Sequence, residues 1–558
     1  MQPRLGFLLL ALITLFSAIW CWVSFTDAHV FRKGVIYPTH QTLPYQDWRA
    51  FRWADPSGYY IYLPATFIYH WDGSLISENH IQGSGKGFEV EQKKIITKYT
   101  FGVALLELPA FAIAHLYSLI THQADGFSPP YILALQLNAI FWGCLGLGLV
   151  LLIVARRYGE RIAVGLILLI TIGSPLFYYQ SAGGGMSHIY SFGLGALLAY
   201  LLDTDFKSHR NKILLIGLLI SLLIFIRPTN FLLVLGIWIE FNRYIIIRKE
   251  SKEIKFLALG IAAFSFLCWV PQLIYRHWLT EEFFNYPYEK ETFSHLTDPA
   301  WIEFLFSPNN GLVIYSPVTG LGLLVGIVYC LRYPTPNRIL RIVILIFSIY
   351  LFSSWHIWSF GCGFGSRNFV EYQLLFVGIW VDFLSSALRF SVWKKRGIAL
   401  MFSIGITIGL YLMISHPRCY LGKGDWDWSE IRYRLGKHPS DYKLKTSEMF
   451  QLGEEYYSIA EDTIRLAPEK RFREVRMWVT YSLLPNPDIK WVLDIESGTS
   501  KVYYHGEDMN SNSEIPFKFY HVFTLPDLLP PGSRWKIYAW NPDKHRWKGK
   551  ASLDIQFN

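Results

Sequence analysis

The stretch YILALQLNAIFWGCLGLGLVLLIVARRYGER, residues 131–161, decides the fold class. From Tyr131 to Val154 it holds no charged side chain. Wound as a helix, a run of this length crosses a hydrocarbon core of about 30 Å. It stops at Arg156-Arg157-Tyr158-Gly159-Glu160-Arg161, a basic loop of the kind retained on the cytoplasmic face.

Working outward, the same alternation recurs. The 558-residue chain is 52% hydrophobic and 17% aromatic with only 17% charged residues, and the apolar residues gather into runs up to about Ser415. The predicted spans are 5–25, 131–154, 161–179, 187–204, 212–226, 229–247, 255–275, 312–331, 339–352, 369–391 and 396–415. The formal charge of +9 sits largely in short loops between them, such as 207–212, 248–255 and 394–396. That distribution argues against a nucleic-acid partner and for loops held inside. Arg4 puts the N-terminus inside, and no small-x-small site follows the first run, so it reads as an uncleaved span.

One run breaks the alternation. Phe101 to Ile120 is apolar enough to cross, but counting it inverts every later loop, and Glu107, Pro109 and His115 suit a bilayer centre badly. It is expected to be a juxtamembrane or re-entrant helix on the outer side. The predicted fold class is therefore a polytopic α-helical membrane protein, with about eleven spans, N-terminus in and C-terminus out. The organisation is a membrane domain over 1–420, with 27–130 as its first outer loop, a connecting segment over 421–470, and a periplasmic β-sandwich or jelly roll over 471–558. The bacterial inner membrane is the expected location.

Six cysteines in a chain this long make no disulfide framework. Cys21, Cys144, Cys268 and Cys330 read as small core residues, and Cys362 and Cys419 both fall outside, as free thiols or as a bridge. No metal or other cofactor is predicted: Asp and His are plentiful in the outer loops, but no ligand spacing stands out.

The first outer loop carries the candidate chemistry. Asp27, Asp55 and Asp72 lie there among histidines and many aromatics. Asp55 opens Asp-Pro-Ser-Gly-Tyr-Tyr-Ile-Tyr-Leu63, where an aspartate ahead of a helix is also a natural N-cap. This motif resembles the first outer loop of membrane glycosyltransferases of the GT-C fold, a group that includes protein O-mannosyltransferases and lipid A aminoarabinose transferases. Further segments resemble theirs in order: Lys98-Tyr-Thr-Phe-Gly102 with Leu106-Glu-Leu-Pro109, Gly185-Met-Ser-His188, Arg227-Pro-Thr-Asn230, Phe306-Ser-Pro-Asn-Asn-Gly311 through Tyr315-Ser-Pro317, and Gly363-Phe-Gly-Ser-Arg367. Thr100 stands where the family pattern has proline.

The resemblance implies transfer of a sugar from a polyprenyl-phosphate donor to a hydroxyl or amine at the outer face, with inversion and an aspartate base. Asp55 is the expected general base and Asp27 its rival. Lys98, Tyr99, Arg227 and Arg367 are the expected ligands of the donor phosphate; Arg offers a bidentate fork and Lys a point charge. Interfacial snorkelling is the competing explanation for both arginines. Asp72, Tyr59, Tyr60 and His188 are expected to line the pocket. Trp355, His356 and Trp358 could stack on sugar or belong to the interfacial belt. Expected partners are the lipid-linked donor, membrane lipids, and a glycan, lipid or protein acceptor.

Two other readings stay open: a ligase that moves a preassembled glycan from its lipid carrier, and a transporter, flippase or assembly factor without catalysis. Against a transporter, no paired repeat of broken helices appears around a midplane site. After Asp425 the chain turns polar, 425–470 reads as helical or irregular, and alternating segments follow: Val475–Ser482, Lys490–Ile495, Lys501–His505, Phe517–Thr524, Trp535–Trp540 and Ser552–Phe557. Trp478, Trp491, Tyr503, Trp535 and Trp540 could form a sugar platform there, or fill the core.

Overall fold

The computed structural model describes residues 4–26, 54–82, 84–121, 124–204, 209–242, 251–284, 287–288, 291–361 and 363–416, together with 426–428, 431 and most of the strands and turns between 442 and 557. Asp27, Cys362 and Cys419 lie outside the described residues. The chain divides into two compact units, one containing 43–76 and 84–416 with the first helix, the other containing 417–558.

The first unit is helical. Six of its described helices are long and apolar enough to cross a membrane: Arg4–Trp22, Gly102–Ile120, Pro129–Tyr158, Ile254–Thr280, Pro336–Ser353 and Val392–Ile414. Leu5, Leu8, Leu12, Leu15, Phe16, Ile19 and Trp22 of the first stand exposed. A continuous apolar face of that kind is stable against lipid and not against water. The remaining predicted spans are helical over their described residues, and two of them are divided at proline. Glu160–Ile172 stops ahead of Pro175, and Leu176–Ser181 starts anew; Leu312–Tyr315 and Pro317–Arg332 divide at Pro317. Among the described residues, five of the about eleven predicted spans are long and apolar enough to cross, and Gly102–Ile120 is the sixth such helix.

Small residues set the spacing between helices. A side chain at Gly146 would meet Phe192 at 2.6 Å, and one at Gly322 would meet Trp380 at 2.8 Å. The Ser187–Asp203 helix lies almost wholly buried between Pro129–Tyr158, His209–Ile226 and Asn230–Phe241. At one end of the bundle, near the basic loops, Arg338 holds Asp382 at 2.8 Å, Arg341 pairs with Glu240, and Arg157 pairs with Asp203.

Gly102–Ile120, expected not to cross, is a 19-residue helix apolar enough to do so, and it packs along Pro129–Tyr158. Leu106 accepts from the Asn138 amide at 3.0 Å, and His115 lies 2.6 Å from the Tyr131 hydroxyl. It therefore runs beside the first turns of Pro129–Tyr158. The first helix meets the middle of the same helix, with Thr14 3.1 Å from Cys144, and reaches the start of the next one through a bond from the Gly6 amide to Glu160. Pro129–Tyr158 has 30 residues, so it is about 45 Å long and outruns a core of about 30 Å. Glu107 is buried and accepts from Tyr190 at 3.0 Å, so the charge that counted against burial has a donor.

The second unit contains two antiparallel sheets. One is ordered Tyr456–Thr463, Arg534–Trp540, Lys490–Ser497, Ser500–Asp508; the other is ordered Tyr442–Leu444, Trp547–Phe557, Phe472–Ser482, Phe517–Thr524, with Phe450–Leu452 also on Trp547–Phe557. All six alternating segments are strands. The stretch 425–470, expected to be helical or irregular, contributes three more, and Tyr456–Thr463 is held as an edge by Arg534–Trp540. Trp491 and Trp535 are 0% and 3% exposed, so they fill the core and cannot be the sugar platform; the Trp478 side chain lies outside the described residues.

Candidate active site

Asp55 is the first residue of the helix Asp55–Tyr60, whose N-cap is Ala54 with no side-chain cap bond. The carboxylate is thus free of capping duty and turns to two other partners. Oδ1 accepts from the Tyr99 hydroxyl at 2.5 Å, and Oδ2 accepts from the Arg367 guanidinium at 2.9 Å. Gly58 makes the first of these contacts sterically feasible, since any Cβ there would run into the Tyr99 ring and the Gly87 carbonyl. The ring of Tyr59 lies 4.4 Å from that of Tyr99, and its hydroxyl reaches Ser187 at 3.2 Å.

Arg367 is held by a loop that a second motif builds. Asn310, at φ +60°, donates to the carbonyls of Ser359 and Gly361 at 3.1 and 2.6 Å and accepts from the Gly365 amide at 3.0 Å. Its own carbonyl accepts from Ser366 at 2.9 Å. Gly365, at φ +63°, leaves room for Tyr315, whose hydroxyl donates to Pro308 at 2.6 Å. The segments 306–317 and 363–367, separate in sequence, are one clamp in space. Asn310→Ala is expected to reduce turnover by about tenfold or more, because a misplaced guanidinium loses its geometry, and to lower the thermal midpoint of the purified chain, because three hydrogen bonds of this buried side chain are lost.

Arg227 lies on the opposite side of the group. Its guanidinium bonds Asn368 at 2.7 Å, abuts the His188 ring at 2.6 Å and sits 3.6 Å from Glu371. His188 Nδ1 is 2.9 Å from Glu371. Lys98 pairs with Glu291 at 2.6 Å and lies over the rings of Tyr99 and Tyr288. Lys98, Arg227 and Arg367 all act on Asp55: burial pushes its carboxyl up, but Arg367, the Tyr99 hydroxyl, Lys98 and Arg227 together hold it below the ordinary carboxylate value. Tyr99 is raised well above the usual phenol range by burial and by Asp55, so it remains a donor.

The structure thus brings Asp55, Tyr59, Lys98, Tyr99, His188, Arg227 and Arg367 together. It does not bring Tyr60 or Asp72. Tyr60 turns the other way, against Phe111 and Phe127, and donates to the Gly126 carbonyl. Asp72 is the N-cap of the turn Gly73–Leu75, where Ser74 occupies its Oδ1, in a separate cleft. Asp27 is not among the described residues. Trp355 packs on Phe293 at 4.8 Å and on Tyr288, one ring away from Tyr99. Among the described residues no group of three His, Cys, Asp or Glu side chains is arranged for a metal ion.

Sequence reasoning missed Glu291, Asn310, Asn368 and Glu371. Asn368 and Glu371 directly continue the Gly363–Arg367 motif, and Asn310 lies inside another quoted one, so a demand for partners of the buried arginines could have found them. Glu291 carries no local signal.

No protein-family model matches this chain, and no curated relative does. Among solved structures it is similar to ArnT from Cupriavidus metallidurans bound to undecaprenyl phosphate, at 11% identity and a TM-score of 0.40, over 70% of this chain and 62% of that one. The apo state of the same protein is similar at 11% identity and a TM-score of 0.34, over 62% of each chain. The chain therefore spans under two thirds of the length of these ArnT chains.

Proposed function

We propose that this chain is a membrane glycosyltransferase that moves a sugar from a polyprenyl-phosphate donor to an acceptor at the outer face of the bacterial inner membrane. The observation that supports it best is a carboxylate held among three cations, Lys98, Arg227 and Arg367, each of which also faces a carboxylate: Glu291, Glu371 and Asp55. A dianionic or monoanionic phosphate has three cationic groups to compete for.

The acceptor's O–H or N–H oxygen or nitrogen forms a bond to the anomeric carbon as the carbon–oxygen bond to phosphate breaks. Asp55 takes the acceptor proton, and the leaving polyprenyl phosphate carries away the bonding electrons. In-line attack inverts the anomeric centre. Arg367 has a double role in this scheme: when the phosphate recruits its guanidinium, Asp55 loses its strongest partner and gains basicity as the acceptor arrives. Cationic groups aimed at the developing charge are the largest expected source of rate. The outer-face placement rests on the loop charges.

The test is a reconstitution of the full chain in liposomes with a radiolabelled polyprenyl-phosphate monosaccharide and a cell-envelope lipid extract. The expected result is release of free polyprenyl phosphate together with labelled acceptor. Turnover only with a lipid-linked oligosaccharide would favour a ligase, and no turnover with either donor would contradict the proposal.

A further inference from the structure

A cleft of about 650 Å³ opens beside the reaction centre, and nothing in the chemistry above uses it. Its walls are Trp71, Tyr275 and Trp278 with Pro271 and Ile274, and the Trp71 ring centroid lies 5.2 Å from Tyr275 and 6.1 Å from Trp278. Around these rings stand His70, Asp72, Gln92 and Lys93. The size lies within the range of small-molecule sites, and so does the pattern of apolar walls with a few polar groups.

The cleft is built, not incidental. His70, Trp71, Gln92 and Lys93 all adopt left-handed backbone conformations, at φ +48°, +64°, +47° and +67°. At Gln92 and Lys93 these angles belong to the two-residue hairpin turn joining Glu89–Glu91 to Lys94–Ile96, and at His70 and Trp71 they turn the chain so that Asp72 faces the cleft. The two turns are locked by a bond from the Gly73 amide to the Lys93 carbonyl at 2.7 Å. Lys94 ties them to the end of the Ser251–Thr280 helix, donating to the carbonyls of Trp278 and Leu279 at 2.8 and 3.3 Å.

The cleft also shares a wall with the reaction centre. The Tyr275 hydroxyl accepts from the Thr97 amide at 3.0 Å and donates to the Ile95 carbonyl at 3.1 Å. Tyr62 stands between the two sites, edge-on to Trp71 and Tyr275, and donates to the Tyr99 carbonyl at 2.6 Å. One short segment, 94–99, thus carries Lys94 on the cleft and Lys98 and Tyr99 on the reaction centre.

We propose that this cleft binds a sugar ring of the acceptor, holding it beside the Asp55 centre. A pyranose offers an apolar face of C–H groups, which suits flat aromatic walls, and a perimeter of hydroxyls that need both donors and acceptors. Asp72 and Gln92 supply acceptors, and Gln92, Lys93 and His70 supply donors. A phosphate headgroup fits less well: the Lys94 ammonium is taken by two carbonyls, and the Asp72 carboxylate faces the same space. The assignment to an acceptor rests on the proposed transferase reading; the saccharide site does not.

The test uses the full-length chain in lipid nanodiscs, free of sugar-based detergent, against an immobilised panel of hexose, hexosamine and pentose mono- to trisaccharides. Wild type is expected to bind members of the panel. Trp278→Ala, at an exposed ring that folding can spare, and Asp72→Asn are each expected to weaken that binding at least tenfold, and Asp55→Asn is expected to retain it. Absence of binding by wild type, or equal binding by Trp278→Ala and Asp72→Asn, overturns the proposal. So does capture of dihexanoyl-phosphatidylglycerol in place of saccharide, lost on Lys93→Ala. Transfer activity surviving in Asp55→Asn would instead overturn the catalytic reading and leave the cleft standing.

Discussion

Asp55→Asn is expected to lower the transfer rate by about 10²–10⁴, the range attributable to a positioned general base, with membrane insertion intact and a small loss of stability. The amide is nearly isosteric and keeps an oxygen that can accept from Tyr99 or Arg367, which hold the native carboxylate at 2.5 and 2.9 Å. What it loses is the negative charge and the ability to take a proton. The measurement is initial rate in proteoliposomes at saturating donor, alongside monodispersity in solution. A rate within threefold of wild type would remove Asp55 from the chemistry and shift attention to Asp27.

Arg367→Gln is expected to cost about 10²–10³ in turnover, the scale seen when one donor to developing negative charge is removed, and also to move the pH profile. Burial acts to raise the Asp55 carboxyl, and Arg367 heads the groups that outweigh it. With Arg367 present the ionised form persists below the usual aspartate value, near 4. The acid limb of the wild-type kcat/KM, which reports the free enzyme with the pair intact, therefore lies below that value. Removing the guanidinium leaves burial with weaker opposition from Tyr99, Lys98 and Arg227, so the limb moves to higher pH. The same sign governs stability: a depressed carboxyl contributes stability above its unfolded value, and this is lost as pH falls through the folded one. A pH–rate profile of both proteins checks it; an unmoved limb would show that Asp55 is not the titrating group.

Much of this was legible in the chain before any coordinates. Runs such as 131–154 report their environment through composition alone, because lipid demands an apolar surface along the whole length. The motif at Asp55 was legible as a resemblance, whereas the purpose of Gly58, admitting the Tyr99 ring, was visible only in the fold. What escaped was pairing across long sequence distances. Nothing near Lys98 points to Glu291, and nothing near Arg227 points to Glu371, yet half-buried cations gain from such partners. Asp72 shows the reverse error: it shares the loop and residue type of Asp55, but two left-handed residues before it aim it into another cleft. Short strands at 442–444, 450–452 and 456–463 escaped because edge pairing, not alternation, forms them.

The most direct measurement of the central claim is a structure of the full chain in nanodiscs with a polyprenyl phosphate bound. The expected result is phosphate density within hydrogen-bond reach of at least two of Lys98, Arg227 and Arg367, with the Arg367–Asp55 pair opened from its 2.9 Å separation. Phosphate density elsewhere, with that pair intact and all three cations still on their carboxylates, would contradict the account.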